Sequence, residues 1–319
     1  MSAAGCAAAP SDKEPASPGW AHHTAADGLR RRLWCYSDVS PRIAVGRARV
    51  VREVRAAAPL MAALRAPVTA QGPWLTAALN EGAARRPRAR PVAVVVEPHA
   101  QGRPDAVAFL TIRRRGPVAT VTVLGDGTAP VPGGLPPFRL LARDEVAAER
   151  LADGILELMG TIRGPRALRL TGLPLGDPTL RALAARVPSA VVANSRSSRL
   201  VDELDDVGPV ARSRDPRGFE RWRPALLERE PDRRARRFLR AAARLHASIG
   251  RLEVAVVADG DVVRAGLLTL VEGDDRWPWW GSSDVGGLRT ELGAPLVRLT
   301  VASRGRLPVE VSGRRTAAR

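Results

Sequence analysis

Runs of β-branched and aliphatic residues, separated by turn residues, are the most regular feature of the first half of the chain. Residues 92–97, 106–112 and 118–124 form three such runs, which predict three antiparallel strands. A loop rich in Gly and Pro follows at 125–137. The apolar residues beyond Asp144 are then spaced for one helix face, and the half as a whole predicts a βββ-α-β-α-β order.

The same order of runs returns near the end of the chain. Residues 252–258, 262–271 and 277–281 predict three more strands, and Asp259-Gly260 is a hairpin dipeptide between the first two. Each set of three ends in a glycine-rich loop. We interpret the two sets as one duplicated segment; the alternative is that two strand sets rich in Val and Ala resemble each other by chance.

The patterns between and before these sets are less uniform. Residues 47–55 favour a strand, and residues 73–79 favour a short helix. A helical region at 219–249 is divided by Pro224 and Pro231, and in its last part apolar residues and arginines fall on opposite helix faces. The sequence therefore predicts an amphipathic, basic helix immediately before the second strand set.

These patterns predict four parts in the chain. Residues 1–30 have no apolar periodicity and predict a disordered tail, residues 31–205 a first unit, and residues 206–250 a linker with the basic helix. Residues 251–319 form a second unit that is reduced, since only 38 residues follow Gly281. The predicted fold class is α/β (α+β), with tandem mixed sheets flanked by helices and the second unit truncated.

Composition limits the class of protein. The 319 residues carry a formal net charge of +17, and nearly every basic residue is Arg. The charge predicts a generally basic surface, with an evolved nucleic-acid site as the alternative. No run approaches the ~18 apolar residues that a membrane helix needs, and no secretion signal is evident. The two cysteines are too few for a zinc cluster, so we expect a soluble, cytoplasmic protein without a metal.

The scarcity of lysine excludes several enzyme classes. A P-loop, a protein kinase and a pyridoxal-phosphate enzyme each need a lysine at the site, whereas Lys13, in the predicted tail, is the only one in the chain. The four histidines are too scattered for a metal site. No Gly-x-Ser-x-Gly occurs, and Gly125-Asp126-Gly127 fails as a dinucleotide fingerprint because Pro130 stands in place of the third glycine.

The glycine-rich loops after the third strands are the first candidate site. Consecutive backbone N–H groups that run into a helix, expected here at Leu288, can cradle a phosphate. The loop at 125–134 offers the same chemistry. A plain surface turn is the alternative, because Asp284 would repel an anion. The candidate cofactor-binding residues of the second loop are Gly281, Ser282, Ser283, Gly286 and Gly287.

Two further groups of residues are candidates for binding. Trp279 and Trp280 are suited to lining a substrate pocket for an amine, with Asp284 or Asp274 as the general base. Aromatic residues at strand spacing are also typical of a core, and Pro278 predicts an edge strand.

The second group is a row of arginines on the basic helix, here called the arginine ridge. It is suited to contacting a nucleic-acid backbone or an acidic protein, and a solvated helix face is the alternative. The arginine ridge consists of Arg233, Arg237, Arg240 and Arg244.

The order of three antiparallel strands, a glycine-rich loop, a helix, a strand and another helix resembles the GNAT acyltransferase fold. Two such units joined by a basic helix resemble the tandem GNAT-like folds of the Fem-type family and its cellulose-biosynthesis-related relatives. Three segments carry the resemblance within residues 66–281: GPWLTAAL at 72–79, ALRLTGLPLGDPTLRALA at 167–184 and DRRARRFLRAAARLHASIG at 232–250.

The resemblance implies transfer of an acyl or aminoacyl group, from a thioester or a tRNA, to an amine. It implies a coenzyme A thioester as the donor and a small-molecule amine as the acceptor. The family's pyrophosphate pattern Gln/Arg-x-x-Gly-x-Gly/Ala is absent after both third strands, and Tyr36, the only tyrosine, precedes both units. The second hypothesis is therefore a non-catalytic binding protein on a degenerate GNAT scaffold, which contacts its partner through the arginine ridge.

Overall fold

The computed structural model describes residues 41–85, 89–97, 103–127 and 137–303, which form two β-sheets with helices packed around them. The predicted tail at 1–30 lies outside these residues. The helices are α1 (Arg47–Ala56), α2 (Ala58–Ala63), α3 (Gly72–Arg85), α4 (Glu145–Thr161), α5 (Pro178–Arg186), α6 (Pro216–Glu228) and α7 (Arg233–Ala247), with short 3₁₀ turns at Val68–Ala70 and Leu204–Asp206. The strands are β1 (Arg42–Val45), β2 (Ala89–Val96), β3 (Ala106–Arg115), β4 (Val118–Val123), β5 (Leu141–Ala142), β6 (Arg166–Pro174), β7 (Val191–Asp202), β8 (Val210–Ser213), β9 (Leu252–Asp259), β10 (Val262–Glu272), β11 (Asp275–Ser283) and β12 (Leu288–Ser303).

The first sheet has eight strands in the order β1-β2-β3-β4-β6-β12-β7, with β5 paired to β3. Its neighbours are antiparallel except β4 and β6, which run parallel because α4 crosses over between them. The second sheet has four antiparallel strands in the order β11-β10-β9-β8. The predicted α/β fold class is confirmed, and so are both predicted sets of three antiparallel strands.

The two sheets begin with the same order of elements. In each, a first strand is followed by helices and then by three antiparallel strands, and the first strand pairs with the first of those three. The second sheet ends at β11, whereas the first continues beyond β4 to β6, β12 and β7. This shared order is compatible with the predicted duplication. The second sheet lacks counterparts of β6, β12 and β7 among the described residues, which is why the sequence predicts a shortened second unit.

The last strand returns to the first sheet. β12 follows β11 in the chain, yet it lies between β6 and β7 and pairs antiparallel with both. The strands of the second sheet are therefore inserted, in sequence, between two neighbouring strands of the first. The predicted boundaries at 205 and 250 stay a prediction, and the predicted linker contains β8, which pairs with β9.

The strand expected at 47–55 is wrong, because this segment is helix α1. Val50 and Val54 stand one helical turn apart, and both are buried. The adjacent valines and alternating arginines satisfy a strand pattern as well as a helix pattern, so periodicity over nine residues did not separate the two.

One hydrophobic core is shared by both sheets. Trp74 of α3 is fully buried, with ring centroids 4.9 Å from Phe238 of α7 and 5.2 Å from Trp279 of β11. Both pairs have the edge-to-face geometry that aromatic rings prefer. A second core lies between the other face of the first sheet and helices α4 and α5. Among the described residues, no helix is both long and apolar enough to cross a membrane.

A bulge in β11 brings two adjacent tryptophans into the shared core. Leu268 pairs with Trp280 and Thr269 pairs with Pro278, so that Trp279 is an extra residue without a partner in the ladder. In a regular strand, neighbouring side chains would point to opposite faces. β11 is an edge strand of its sheet, as Pro278 predicted.

The basic helix has the predicted amphipathic character. Its apolar face is buried through Phe238, Leu239, Ala242 and Ala243. The helix ends at Ala247, so that Ile249, the last residue of the predicted helical region, lies beyond it and is 51% exposed. His246 is 1% exposed, and neither ring nitrogen has a hydrogen-bond partner among the described residues.

We predict that Gly154→Ala lowers the free energy of unfolding by about 1–3 kcal/mol, because the added methyl overpacks the contact between α4 and the sheet. A Cβ at Gly154 would lie 2.5 Å from Pro41 Cβ and 2.6 Å from Val94 Cγ1. Urea denaturation measures the change. Gly160→Ala, in the same helix with nothing within 4 Å of its Cβ, should instead raise stability by about 0.5–1 kcal/mol. Equal stabilities of the two variants would contradict the close packing of Gly154 against Pro41 and Val94.

We also predict that His246 makes stability fall in acid. Burial, and then the positive charge of Arg251, lower the pKa of His246 from 6.5 to about 4. Between these two values the unfolded chain binds a proton that the folded chain does not, so the free energy of unfolding falls as pH falls through this window, and above it the effect is absent. From pH 7 to 5 the loss attributable to His246 should be about 2 kcal/mol.

Urea denaturation at several pH values measures this loss. His246→Leu, which keeps the site apolar and cannot titrate, should show a correspondingly flatter pH dependence of stability. The same pH dependence in both proteins would exclude His246 as the cause.

Candidate functional site

The predicted phosphate loop is the end of β11 and the turn into β12. Gly281, Ser282 and Ser283 are strand residues that pair with β10. The helix expected at Leu288 is wrong: β12 begins there, because residues 288–292 pair with β7. The loop therefore has no helix N-terminus behind it, and the dipole expected to favour an anion is missing.

Gly286 and Gly287 are required by the turn itself. Their φ angles are +87° and +77°, a region that residues with a Cβ rarely adopt. A Cβ on Gly287 would also lie 3.0 Å from the Glu203 carbonyl oxygen, and the Glu203 N–H donates to the Gly287 carbonyl at 2.9 Å. The positive φ angle accounts for Gly286, and the positive φ angle together with close packing on Glu203 and Leu204 accounts for Gly287. Their role in cofactor binding stays a prediction.

Arg229 ties this loop to the second sheet. Its guanidinium donates to Ser282 Oγ at 3.1 Å and to the carbonyls of Val263 and Arg264 at 3.0 and 3.3 Å. It also forms an ion pair with Asp284 Oδ1 at 2.5 Å. The hydrogen bond from Arg229 lowers the pKa of Asp284, so this carboxylate is a weaker base than an ordinary aspartate.

The other predicted residues of β11 do not meet at one point. Asp274 precedes the nine-residue strand β11 and Asp284 follows it, which separates them by about 30 Å. Trp279 and Trp280 lie between them and are 1% and 2% exposed. Trp280 Nε1 donates to Glu230 Oε2 at 2.9 Å, whereas Trp279 Nε1 is buried without a partner among the described residues. Substrate binding by these tryptophans stays a prediction.

The arginine ridge is exposed along α7. Arg233, Arg237 and Arg240 lie on the solvent side of the helix. Arg244 is exposed too, but it donates to both carboxylate oxygens of Glu220 on α6 at 2.7 and 3.0 Å. The ridge therefore presents three arginines and one ion pair rather than four equivalent cations.

A different arrangement, in the first sheet, lies where β4 and β6 separate. The two strands pair only between residues 119–122 and 166–169, and residues 170–174 of β6 continue without β4. We call this separation of β4 from residues 170–174 of β6 the β4–β6 gap. At its far side the Phe138 N–H donates to the Gly172 carbonyl at 2.6 Å.

Asp126, at the end of β4, borders the β4–β6 gap. Burial raises the pKa of its carboxyl group, and this is partly offset by the charge of Arg113, a hydrogen bond from Thr171 of β6 and the charge of Arg298. Arg113 Nη2 also donates to the Asp126 carbonyl at 3.2 Å. A carboxylate whose pKa is raised in a partly closed space is a stronger base than one in water.

A cleft of about 450 Å³ lies at the carboxyl end of β6. It contains one cation, Arg139, which donates to the Leu64 carbonyl at 2.7 Å, and one buried carboxylate, Asp177, which caps α5 by accepting from Leu180 N–H at 2.9 Å. Burial raises the pKa of Asp177. Thr171, beside Asp126, is three residues before Pro174 at the cleft, or about 10 Å along β6. The lining residues are Pro67, Pro137, Phe138, Arg139, Pro174, Leu175, Gly176, Asp177, Pro178 and Leu296.

The helix that follows the first glycine-rich loop is closed to anions. Asp144 Oδ1 accepts from the Ala147 N–H at 2.8 Å, and Glu145 stands in the first turn. Asp144 satisfies an N–H group at the start of α4, and the negative charge of both residues disfavours a phosphate there, while Glu145 also pairs with Arg181 at 3.1 Å. Their presence agrees with the absence of the pyrophosphate pattern from this loop.

Sequence reasoning did not select Asp126. The residue stood in a glycine-rich loop considered as a phosphate cradle and rejected as a dinucleotide fingerprint. Its position in the turn that follows the buried strand β4 was the available signal, since polar residues in loops after strands are commonly functional. The neighbours that shift its pKa, Thr171 and Arg298, come from strands far along the chain.

No protein-family model matches the chain, and no curated protein matches it. Three solved structures are similar to it at low identity. FemX is 10% identical over 64% of this chain and 79% of that chain, with a TM-score of 0.39. A tandem GNAT protein from the clavulanic acid biosynthesis pathway is 13% identical over 82% and 98%, with a TM-score of 0.32. A GCN5-related N-acetyltransferase from Sphaerobacter thermophilus is 13% identical over 83% and 96%, with a TM-score of 0.29.

Proposed function

We propose that the protein transfers an acyl group from a thioester to an amine in the β4–β6 gap, with Asp126 as the general base. The observation that carries this proposal is the separation of the parallel strands β4 and β6 beside a carboxylate whose pKa is raised by burial. The resemblance of the sequence to GNAT-like acyltransferases supports the same reaction class. The loop at 281–287 is less favoured as the reacting site, because Asp284 is held by Arg229.

The proposed chemistry needs one proton acceptor and no metal. An amine enters the site largely as an ammonium ion and must lose a proton before its nitrogen attacks the thioester carbonyl. Asp126 takes up that proton, and the neutral amine attacks the carbonyl carbon. The C–N bond forms as the C–S bond breaks, and the second proton lost by the nitrogen passes to the thiolate, which leaves as the thiol. The negative charge of Asp126 attracts the ammonium.

The donor must be held away from the start of α4, where Asp144 and Glu145 repel phosphate. Arg139 is the cation in the cleft at the carboxyl end of β6. We propose that Arg139 binds the anionic part of the donor and that Phe138 and Leu175 contact its apolar part. This division follows the usual composition of ligand clefts, in which apolar walls bury the ligand and a few polar groups orient it.

We predict that Asp126→Asn lowers kcat about 100-fold or more, because an amide of the same shape cannot accept the proton. The rate is measured as thiol release from acetyl-coenzyme A in the presence of a panel of primary amines. Binding of acetyl-coenzyme A, measured by titration calorimetry, should change little in this variant. Arg139→Gln should instead weaken binding of the thioester.

Asp284→Asn is the matched control and should leave the rate unchanged. A loss of activity in Asp284→Asn with an active Asp126→Asn would move the reaction to the loop at 281–287. Absence of both thioester binding and thiol release with every amine would overturn the proposed donor.

The second candidate function is binding of nucleic acid through the arginine ridge. It is favoured by one observation: Arg233, Arg237 and Arg240 lie exposed on one face of α7, whose opposite face is buried. Residues 233, 237 and 240 succeed one another at one-turn spacing, so the three cations follow a line along the helix. A line of cations of this kind fits a phosphate backbone.

We predict that Arg237→Ala with Arg240→Ala weakens binding to a DNA duplex and reduces the slope of log K against log [salt] by about 2. Fluorescence anisotropy at several salt concentrations measures both. Arg244→Ala, which removes an arginine already paired with Glu220, should have a smaller effect. Binding that responds neither to salt nor to the double substitution would show that the arginine ridge is only a solvated face.

A further inference from the structure

A second cleft lies at the opposite end of the first sheet from the β4–β6 gap. It measures about 990 Å³ and is formed by the sheet face near β1 and the C-terminal end of α4. Gly116 and Arg163, which precede β4 and β6, lie at its edge, so that the length of β6, about 30 Å, separates it from the proposed acyl-transfer site. The lining residues are Ile43, Val45, Arg90, Ile112, Arg114, Gly116, Leu158, Thr161, Ile162 and Arg163.

The strand register explains the apolar floor of this cleft. Val45 pairs with Val92, two residues from Arg90, and Arg90 pairs with Ile112, two residues from Arg114. Alternation along each strand therefore places these side chains on the face that α4 covers. α4 ends at Thr161, before it reaches the end of the sheet, and leaves Val45 40% exposed. Leu158 and Ile162 of the helix end complete the apolar floor.

Three guanidinium groups stand around that floor. Arg90, Arg114 and Arg163 are exposed, and no carboxylate of the described residues forms an ion pair with any of them. None of the described residues that line the cleft is acidic. In contrast, many arginines elsewhere in the described ranges are paired, among them Arg42 with Glu53 and Arg186 with Asp153.

The carbonyl groups at the end of α4 do not cancel this positive charge. The Ile162 carbonyl accepts from Arg166 Nη1 at 2.6 Å, and the Leu158 carbonyl accepts from Thr161 Oγ1 at 2.7 Å. Arg114 Nη2 donates to the Arg163 carbonyl at 3.2 Å, which holds one guanidinium at the mouth of the cleft.

We infer that this cleft binds an anionic amphiphile: one molecule with a phosphate or carboxylate head and an aliphatic chain. The three arginines bind the head group, since guanidinium groups form charge-assisted, often bidentate, hydrogen bonds with both kinds of anion. The aliphatic floor buries the chain. A volume of about 990 Å³ accommodates such a molecule, as ligand clefts span roughly 300–1,000 Å³.

Titration calorimetry with dodecyl phosphate, below its micelle concentration, tests the inference on the full chain. We expect saturable binding to one site, with weaker binding of dodecyl maltoside, which lacks the charge, and of inorganic phosphate, which lacks the chain. Arg90→Gln and Arg114→Gln should each weaken binding of dodecyl phosphate about tenfold. Val45→Asp, at an exposed position on the floor, should abolish it by charge repulsion.

Arg115→Gln is the matched control, because Arg115 is an exposed arginine on the same strand that does not line the cleft. It should bind dodecyl phosphate as the unchanged protein does. Equal loss of binding in Arg115→Gln and Arg114→Gln, or equal binding of dodecyl maltoside, would overturn the inference. Binding to phosphatidylglycerol vesicles without binding to dodecyl phosphate would also overturn it, since a membrane surface would then be recognised in place of a single ligand.

Discussion

The packing of Trp74 between Phe238 and Trp279 is the contact on which the two sheets depend. These rings come from α3, α7 and β11, and they join elements of both sheets in one hydrophobic core. A four-stranded sheet buries little surface by itself, so the second sheet gains its stability by closing over this core. The bulge at Trp279 belongs to the same constraint, because it turns two successive indoles toward Trp74 and α7. Trp279 and Trp280, the candidate substrate-binding residues of β11, therefore belong to the hydrophobic core.

The return of β12 to the first sheet has a similar consequence for the proposed site. β12 pairs with β6 from residue 296 to 303 and holds that strand along its whole length. β6 can therefore remain extended after β4 has left it, where the described residues contribute only the Phe138 N–H bond to Gly172 on that side. The β4–β6 gap exists because one edge of β6 is fixed by a strand from the far end of the chain. The second sheet has no counterpart of β6 or β12, which is why a comparable gap does not form beside β11 among the described residues.

Local features of this fold were predictable from the sequence, and features that depend on distant contacts were not. Period-two runs located both sets of three strands, and Asp144 and Asp177 marked the starts of α4 and α5 because N-cap chemistry is local. The pairing of Leu288 with Asp202 was not predictable, since the helix expected there obeys the same local rules as the strand that forms. Asp126 illustrates the same limit for the site. Its residue type and loop were visible, but its pKa depends on Thr171 and Arg298, which only the sheet brings near.

The net charge of +17 has a different meaning once the arginines are located. Glu253 of β9 is 7% exposed and accepts from Arg276 and Arg214, and these hydrogen bonds lower the pKa of its carboxyl group. Arg276 and Arg214 are thus paired with a carboxylate inside the protein, as Arg229 is paired with Asp284. Arginines without an ion-pair partner among the described residues lie on several surfaces, including α1, α7 and the cleft of about 990 Å³ in the first sheet. The net charge by itself therefore does not locate a site, and only the arrangement of arginines around an apolar surface distinguishes the cleft from the other two.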